Sequence, residues 1–183
     1  VYTLSRRGDV IIGYRRMENP LNIAYSGTNM YQVAETKRDY FRVQFNYQAL
    51  PWLKMQSRVE IGKRQAPTKN IENGYLIYQG FQIKPLHEIW TLNFRYSLFD
   101  TDSYDIRIYA FEQDVPYSFS VPAFSGRGSR FYAMVNTKLG KNISVILRFS
   151  QTWYSDRMSI SSGADEIDGN RKSDFKAVLK LSF

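Results

Sequence analysis

The chain predicts an all-β fold: an antiparallel, up-and-down β-barrel of transmembrane type with about eight to ten strands, or a section of a larger barrel. Three observations predict it. Apolar and polar residues alternate with a period of two in several segments, which puts oil on one face of each strand and water on the other. The segments run to about eight to twelve residues, longer than the roughly five or six of an ordinary soluble strand and close to the roughly nine to eleven that a tilted strand needs to cross a bilayer. Aromatics make up 16% of the chain, with 14 Tyr and 12 Phe, and aromatic residues favour strands over helices. Mean hydropathy is −0.44, which does not argue against a membrane barrel, because such a strand shows lipid only every second residue.

Taken in order, residues 1–4 and 10–14 flank a hairpin turn at Ser5-Arg6-Arg7-Gly8-Asp9. Residues 17–20 read as a loop, and 23–33 as a strand broken at Ser26-Gly27-Thr28-Asn29. The pattern then sharpens. Phe41, Val43, Phe45, Tyr47 and Ala49 share one face, against Arg42, Gln44, Asn46 and Gln48. Leu50-Pro51-Trp52 breaks the chain, since proline cannot donate to a ladder. Leu53, Met55, Val59 and Ile61 alternate with Lys54, Gln56, Arg58 and Glu60. Residues 62–74 read as a loop, with Pro67 and an Asn73-Gly74 turn signal. Strands follow at 75–83 and 90–98, where Leu92 and Phe94 oppose Asn93 and Arg95. A turn at 100–103 leads to a strand at 104–111, a long loop at 113–128, and a strand at 130–137 whose faces the pattern does not separate. After Gly140, Val145, Leu147 and Phe149 alternate with Ser144, Arg148 and Ser150, and a polar loop at 155–172 precedes the last strand.

Counting back from Phe183 creates one conflict. The tight turn at 50–52 falls on the outer side and the longer 62–74 loop on the periplasmic side, against the rule of short periplasmic turns. A strand miscounted between Asp100 and Gly128 would remove it. Trp52 and Trp90 lie beside turns and Trp153 at a strand's far end, as interfacial girdles require.

The last strand is the most regular. Phe175, Ala177, Leu179, Leu181 and Phe183 alternate with Lys176, Val178, Lys180 and Ser182. This tail resembles the terminal strand of Gram-negative outer-membrane β-barrel proteins, whose final Phe and alternating apolar residues are read by the barrel-assembly machinery. The resemblance implies a cell outer membrane location, contact with lipid and lipopolysaccharide, and that machinery as a partner through the strand ending at Phe183. The run from Tyr96 to Val115, with Phe119-Ser-Val-Pro122 and Gly126-Arg-Gly-Ser-Arg-Phe-Tyr132, resembles the C-terminal barrel part of Bacteroidetes outer-membrane proteins linked to a helix-hairpin-helix portion. That portion, which implies DNA contact in the family, has no counterpart in these motifs, so no nucleic-acid partner is expected through this chain. Residues 1–183 are therefore expected to form a single barrel domain. The chain opens Val1-Tyr-Thr-Leu, with no basic region and apolar core of an export leader, and is read as the C-terminal portion of something longer.

Chemistry is sparse. With no cysteine, disulfides and thiolate metal sites are impossible. His87 is the one histidine, so neither a Ser-His-Asp set nor a histidine zinc site has support. Asp100, Asp102 and Asp105, and Asp165, Glu166, Asp168 and Asn170, lack a full calcium-loop spacing and read as turn-formers. Gly126-Arg127-Gly128-Ser129 lacks a phosphate loop's lysine. The net charge of +8 is spread over strands and turns and reads as solvated surface. The polar faces are the candidate site: Arg42, Arg58, Glu60, Arg95, Arg107 and Arg148 are expected to point into a lumen, either plugging it or lining an anion-attracting pore. The sequence therefore predicts a membrane anchor, scaffold or narrow pore, with no catalytic site and no cofactor. The alternative is a soluble, lipocalin-like barrel whose apolar face lines a ligand cavity. The two differ in which face lies inside.

Overall fold

The computed structural model describes residues 2–5, 7–24, 31–67, 69–161 and 163–182, and these contain no α-helix. In chain order the strands are β1 (Tyr2–Ser5), β2 (Gly8–Ala24), β3 (Tyr31–Leu50), β4 (Leu53–Ala66), β5 (Lys69–Ile83), β6 (Trp90–Thr101), β7 (Ile108–Tyr109), β8 (Ala123–Phe124), β9 (Arg127–Lys138), β10 (Ile143–Tyr154), β11 (Ser159–Ile160), β12 (Ile167–Asp168) and β13 (Arg171–Leu181). Nine of them make one antiparallel meander, ordered β1-β2-β3-β4-β5-β6-β9-β10-β13, while β7–β8 and β11–β12 are small ribbons inside connections. The sheet is open. Among the described residues β13 has no partner on its far side, and β1 covers only residues 8–10 of β2. Phe183 lies outside the described residues.

Register fixes the faces, because a slip of one residue would turn every side chain over. β2 and β3 pair without a break from Gly8–Tyr47 to Ala24–Tyr31. On one face Phe41, Phe45, Val59, Ile61, Ile77, Leu98, Leu147 and Leu179 are exposed, with Val43, Leu92, Phe94 and Val145 half-buried beside them. On the other, Arg58, Glu60, Arg95, Ser97, Arg148 and Ser150 are buried. Arg42 and Gln44 lie half-buried on this polar face, opposite Glu60 and Arg58, and Lys180 shares it near the end of β13 but is exposed. The faces of β9 separate too: Phe131, Ala133 and Val135 pair into the apolar rows, and Arg130, Tyr132 and Met134 into the polar ones.

Three sequence expectations are corrected. Residues 17–20 are not a loop: β2 runs through Pro20 to Ala24, and among the described residues this part of β2 has no neighbour on its second side, where a missing N–H does no harm. Residues 62–74 are not a loop either. β4 and β5 continue past Gly62 and Gly74, which face each other across the ladder, as far as the pairing of Ala66 with Lys69. Finally, 104–111 is not a strand of the sheet. It starts with a 3-10 turn, Tyr104–Ile106, and belongs to a connection, 102–126, folded over the polar face. Removing it from the strand count resolves the sidedness conflict. The turns at 51–52, 84–89 and 139–142 share one end of the meander, and the long connections 102–126 and 155–170 share the other.

Candidate functional site

The connection 102–126 is a strap laid across the sheet. Its two arms pair with each other, Ile108 with Phe124, Tyr109 with Ala123, and Glu112 with Ser120. Between β6 and β9 the base is closed by Thr101 N–H to Gly126 O and Gly126 N–H to Thr101 Oγ1, at 2.9 and 2.8 Å. Alternation then works on the strap as on any strand. Ile106, Ile108, Ala110 and Glu112 point into the sheet and are buried, while Tyr109 and Phe111 point away. The apolar members pack with Tyr40, Leu76, Tyr78, Phe99 and Phe124, the chief hydrophobic cluster among the described residues. Gly62 and Gly74 make room for it: a Cβ on Gly74 would stand 2.9 Å from the backbone oxygen of Ile106.

The strap's free edge carries unpaired backbone carbonyls, and arginines take the place of the next strand. Arg58 Nη2 donates to Tyr109 O at 3.2 Å, Arg95 Nη1 to Phe111 O at 2.6 Å, and Arg148 Nε to Gln113 O at 3.0 Å. Carbonyls two residues apart are thus taken by arginines on β4, β6 and β10. Tyrosines fill the intervals. Arg95 lies over the rings of Tyr78 and Tyr132 at 4.0 and 5.5 Å, and Arg148 over Tyr132 at 5.4 Å, so cations and rings alternate across the face.

Acids of the strap meet cations of the wall. Glu112 accepts a two-pronged bond from Arg130, both contacts at 2.8 Å, and a third from Arg148 at 2.6 Å. Asp114 accepts from Lys176 at 2.7 Å and from Ser118 at 2.9 Å. Burial pushes the Asp114 carboxyl up, but the bonds from Lys176, the Val115 N–H and Ser118, with the charge of Arg148, outweigh it and hold the group below its ordinary value. Arg148 also reaches Asp174 at 3.3 Å. Glu60 is paired with Arg58 on its own strand.

Of the six residues expected in a lumen, Arg58, Glu60, Arg95 and Arg148 come together beneath the strap. Arg42 shares their face but makes no hydrogen bond or ion pair among the described residues. Arg107 is corrected: it sits on the strap, where it bonds Tyr109 Oη and Tyr104 O, because 104–111 crosses the sheet rather than joining it. Sequence reasoning missed Tyr78, Glu112, Asp114, Arg130, Tyr132 and Lys176. The pattern left the faces of 130–137 unseparated, and nothing in it identifies the acids of a loop, Glu112 and Asp114, as partners of strand cations. The acidic groups read as turns do separate work: Asp100 bonds Arg127, Asp102 accepts from Asn73 N–H, and Asp105 lies 3.3 Å from Arg64. His87 is exposed in the 84–89 turn.

Beside the strap's arginine edge, towards the short turns, the polar face opens into a cavity of about 770 Å³. Its wall is an amide network. Gln56 donates to Asn46 at 2.9 Å, Asn46 to Asp9 at 2.8 Å, and Gln82 to Asn93 at 3.0 Å, while Gln56 Oε1 accepts from Tyr78 and Arg95. Among known proteins, no family model and no curated sequence matches the chain.

Proposed function

We propose that the chain is an outer-membrane β-barrel, or a section of one, serving as a membrane anchor, scaffold or narrow pore whose lumen is constricted by the 102–126 strap. The observation that carries this reading is the inversion of burial: the arginines lie inside and the leucines and phenylalanines outside. Arg148 is 1% exposed and Leu147, its neighbour in sequence, 41%. In water such an arrangement leaves apolar area unburied at roughly 25 cal/mol per Å², and in lipid it does not.

Further features support it. The apolar band on β10 runs from Ile143 to Trp153, ten steps of about 3.3 Å, which at a tilt near 40° projects to about 25 Å, the height of a barrel's lipid-facing band. Trp52 and Trp90 stand at the short-turn end and Trp153 at the other. Polar side chains on the outer face answer one another: Ser57 bonds Gln79, and Gln151 donates to Ser173 at 2.7 Å, as a medium without water demands. The same demand applies to the open edges of β2 and β13, which in this reading pair with each other or with further strands. The resemblance of the tail to outer-membrane terminal strands adds the location and the assembly machinery as a partner. The lipocalin-like alternative needs its apolar rows turned inward, and here the buried face carries Arg58, Glu60, Arg95 and Arg148 while Phe45, Leu98 and Leu147 are exposed.

Two measurements test the reading. The chain should require detergent for extraction and show heat-modifiable mobility in gels. Leu147→Arg should destabilise the folded form by about 2–4 kcal/mol in lipid vesicles, read from its chemical unfolding midpoint. Full solubility of the folded chain without detergent would end this proposal.

A further inference from the structure

The cavity borders the one deeply buried charge that, among the described residues, no carboxylate answers. Arg58, Arg64, Arg95 and Arg148 are all buried on the polar face. Arg58 meets Glu60, Arg64 meets Glu72 and Asp105, and Arg148 meets Glu112, Asp114 and Asp174. Among the described residues Arg95 alone of the four has no carboxylate. Its partners are Phe111 O, Gln56 Oε1 and two tyrosine rings, which satisfy hydrogen bonds without neutralising the charge. An uncompensated buried cation is unfavourable, and an anion beside it relieves that.

The geometry gives the anion a place. Arg95 Nε is buried and has no partner. The Nε atoms of Arg38, Arg58 and Arg64 are also without partners among the described residues, but Arg58 and Arg64 already hold acids and Arg38 is only half-buried. Arg95 faces Gly80 across the β5–β6 ladder. A Cβ on Gly80 would stand 3.5 Å from Nε, 3.6 Å from Gln56 O and 3.7 Å from Phe94 O, at ordinary contact distance, so a space the size of one methyl group or one oxygen lies beside the free N–H. Gly80 and Arg95 both line the cavity.

We propose that this space seats one oxygen of an acidic group, and that the cavity binds a small hydroxylated anion of sugar size, a sugar acid or a sugar phosphate. The rest of the lining fits the rest of such a molecule. Asn46, Gln48, Gln82 and Asn93 offer amides that donate to and accept from hydroxyls, and Lys54 and Arg7 add cations against the one carboxylate of the lining, Asp9, which accepts from Asn46. Phe111, 52% exposed on the strap, offers a ring face. A volume near 770 Å³ is in the range of small-molecule sites and far exceeds what a bare phosphate fills. The inference goes beyond the membrane reading and does not depend on what the apolar face touches.

The test uses the full chain refolded in detergent and titrated calorimetrically with glucuronate, glucose 6-phosphate, glucose and inorganic phosphate. At least one anionic sugar should bind about tenfold or more tighter than glucose, as a hydrogen bond to a charged group implies. Which one binds distinguishes carboxylate from phosphate. Gly80→Ala should fill the gap, weaken that binding about tenfold or more, and leave the unfolding midpoint and heat-modifiable mobility unchanged. Failure of both anionic sugars to bind, or equal binding of glucose, overturns the site from the parent chain alone. Equal affinity in Gly80→Ala overturns its placement over Gly80. Heat-modifiability is read on the same samples, so loss of the site is distinguishable from loss of the barrel.

Discussion

Arg127 and Arg130 sit three residues apart on β9 and meet carboxylates at almost the same distance. Arg127 Nε reaches Asp100 at 2.9 Å, and Arg130 reaches Glu112 at 2.8 Å. One pair lies on the outer face, with side chains 68% and 47% exposed, and the other lies under the strap, at 13% and 1%. Bond length does not separate them; the face does. Water screens the outer pair and solvates either member if the other is lost. The inner pair was desolvated as a unit, so each member depends on the other, and through Glu112 it fastens a long connection to the wall. The odd-to-even step between positions 127 and 130 decides which role a residue plays.

The largest break in this comparison is Glu112→Gln. It removes a carboxylate shared by Arg130 and Arg148 and leaves two cations short of charge in a dry place. Arg148 keeps Asp114 and Asp174, while Arg130 keeps only Thr152 as a bonded side chain. Stability should fall by about 3–5 kcal/mol, measured by chemical denaturation in detergent. The strap should also become a protease target at its tip, where Tyr117 and Phe119 are exposed. A loss below about 1 kcal/mol, with the tip still resistant, would mean that the Ile106–Ile108–Ala110 packing holds the strap and the charges are incidental.

Such a result would also bear on what the sequence could reveal. The two faces were legible in it, because period-2 alternation states them directly: Arg148 and Leu147, Arg95 and Phe94 fall where the pattern puts them. The strap was not. Residues 104–111 alternate as cleanly as a sheet strand, since Ile106, Ile108 and Ala110 do share one side, and alternation reports an extended chain without saying what lies beside it. Gly62 and Gly74 misled in the opposite direction. Their composition signals a loop, but their physical role is to leave a trough for Ile106. The gap at Gly80 was equally hidden, because it depends on a pairing with Arg95 that only the register discloses.

Asp114 gives a middle-sized test of the strap's fastening. Its carboxyl is held below the ordinary range in the folded chain, chiefly by Lys176 against the opposing push of burial. The sign follows from linkage. A lowered folded value means that the ionised form favours the folded state, so this contribution is complete above the ordinary carboxylate value of about 4 and is lost as pH falls through the lower folded value. Strap protection against protease should be flat from about pH 8 to 5 and weaken only below about pH 4. Glu112 and Asp174 also face Arg148, so Asp114→Asn serves as the reference. It should cost about 1.5–3 kcal/mol at neutral pH and show a shallower acid limb. An acid limb of unchanged depth would mean that Asp114 does not carry it.

The smallest expected effect lies on the outer face, and it sharpens the contrast most. A double-mutant cycle on Asp100→Ala and Arg127→Ala should give a coupling of about 0–1 kcal/mol, against about 2 kcal/mol or more for Glu112 with Arg130. The backbone at this corner holds regardless of the side chains, because Ser155 N–H donates to Arg127 O at 2.9 Å. Truncating either residue therefore removes the ion pair and little else. Salt adds a second axis. Raising ionic strength from about 0.15 to 1 M shortens the screening length from about 8 to 3 Å, which should erase the outer coupling and leave the inner one largely intact. An outer coupling that matched the inner one and survived salt would mean that Asp100 and Arg127 are covered in the folded assembly by something beyond this chain. Since both lie at the long-loop end, just past Leu98 on β6, that cover would have to reach the rim of the apolar band, and the covered part of the outer face would extend beyond Leu98.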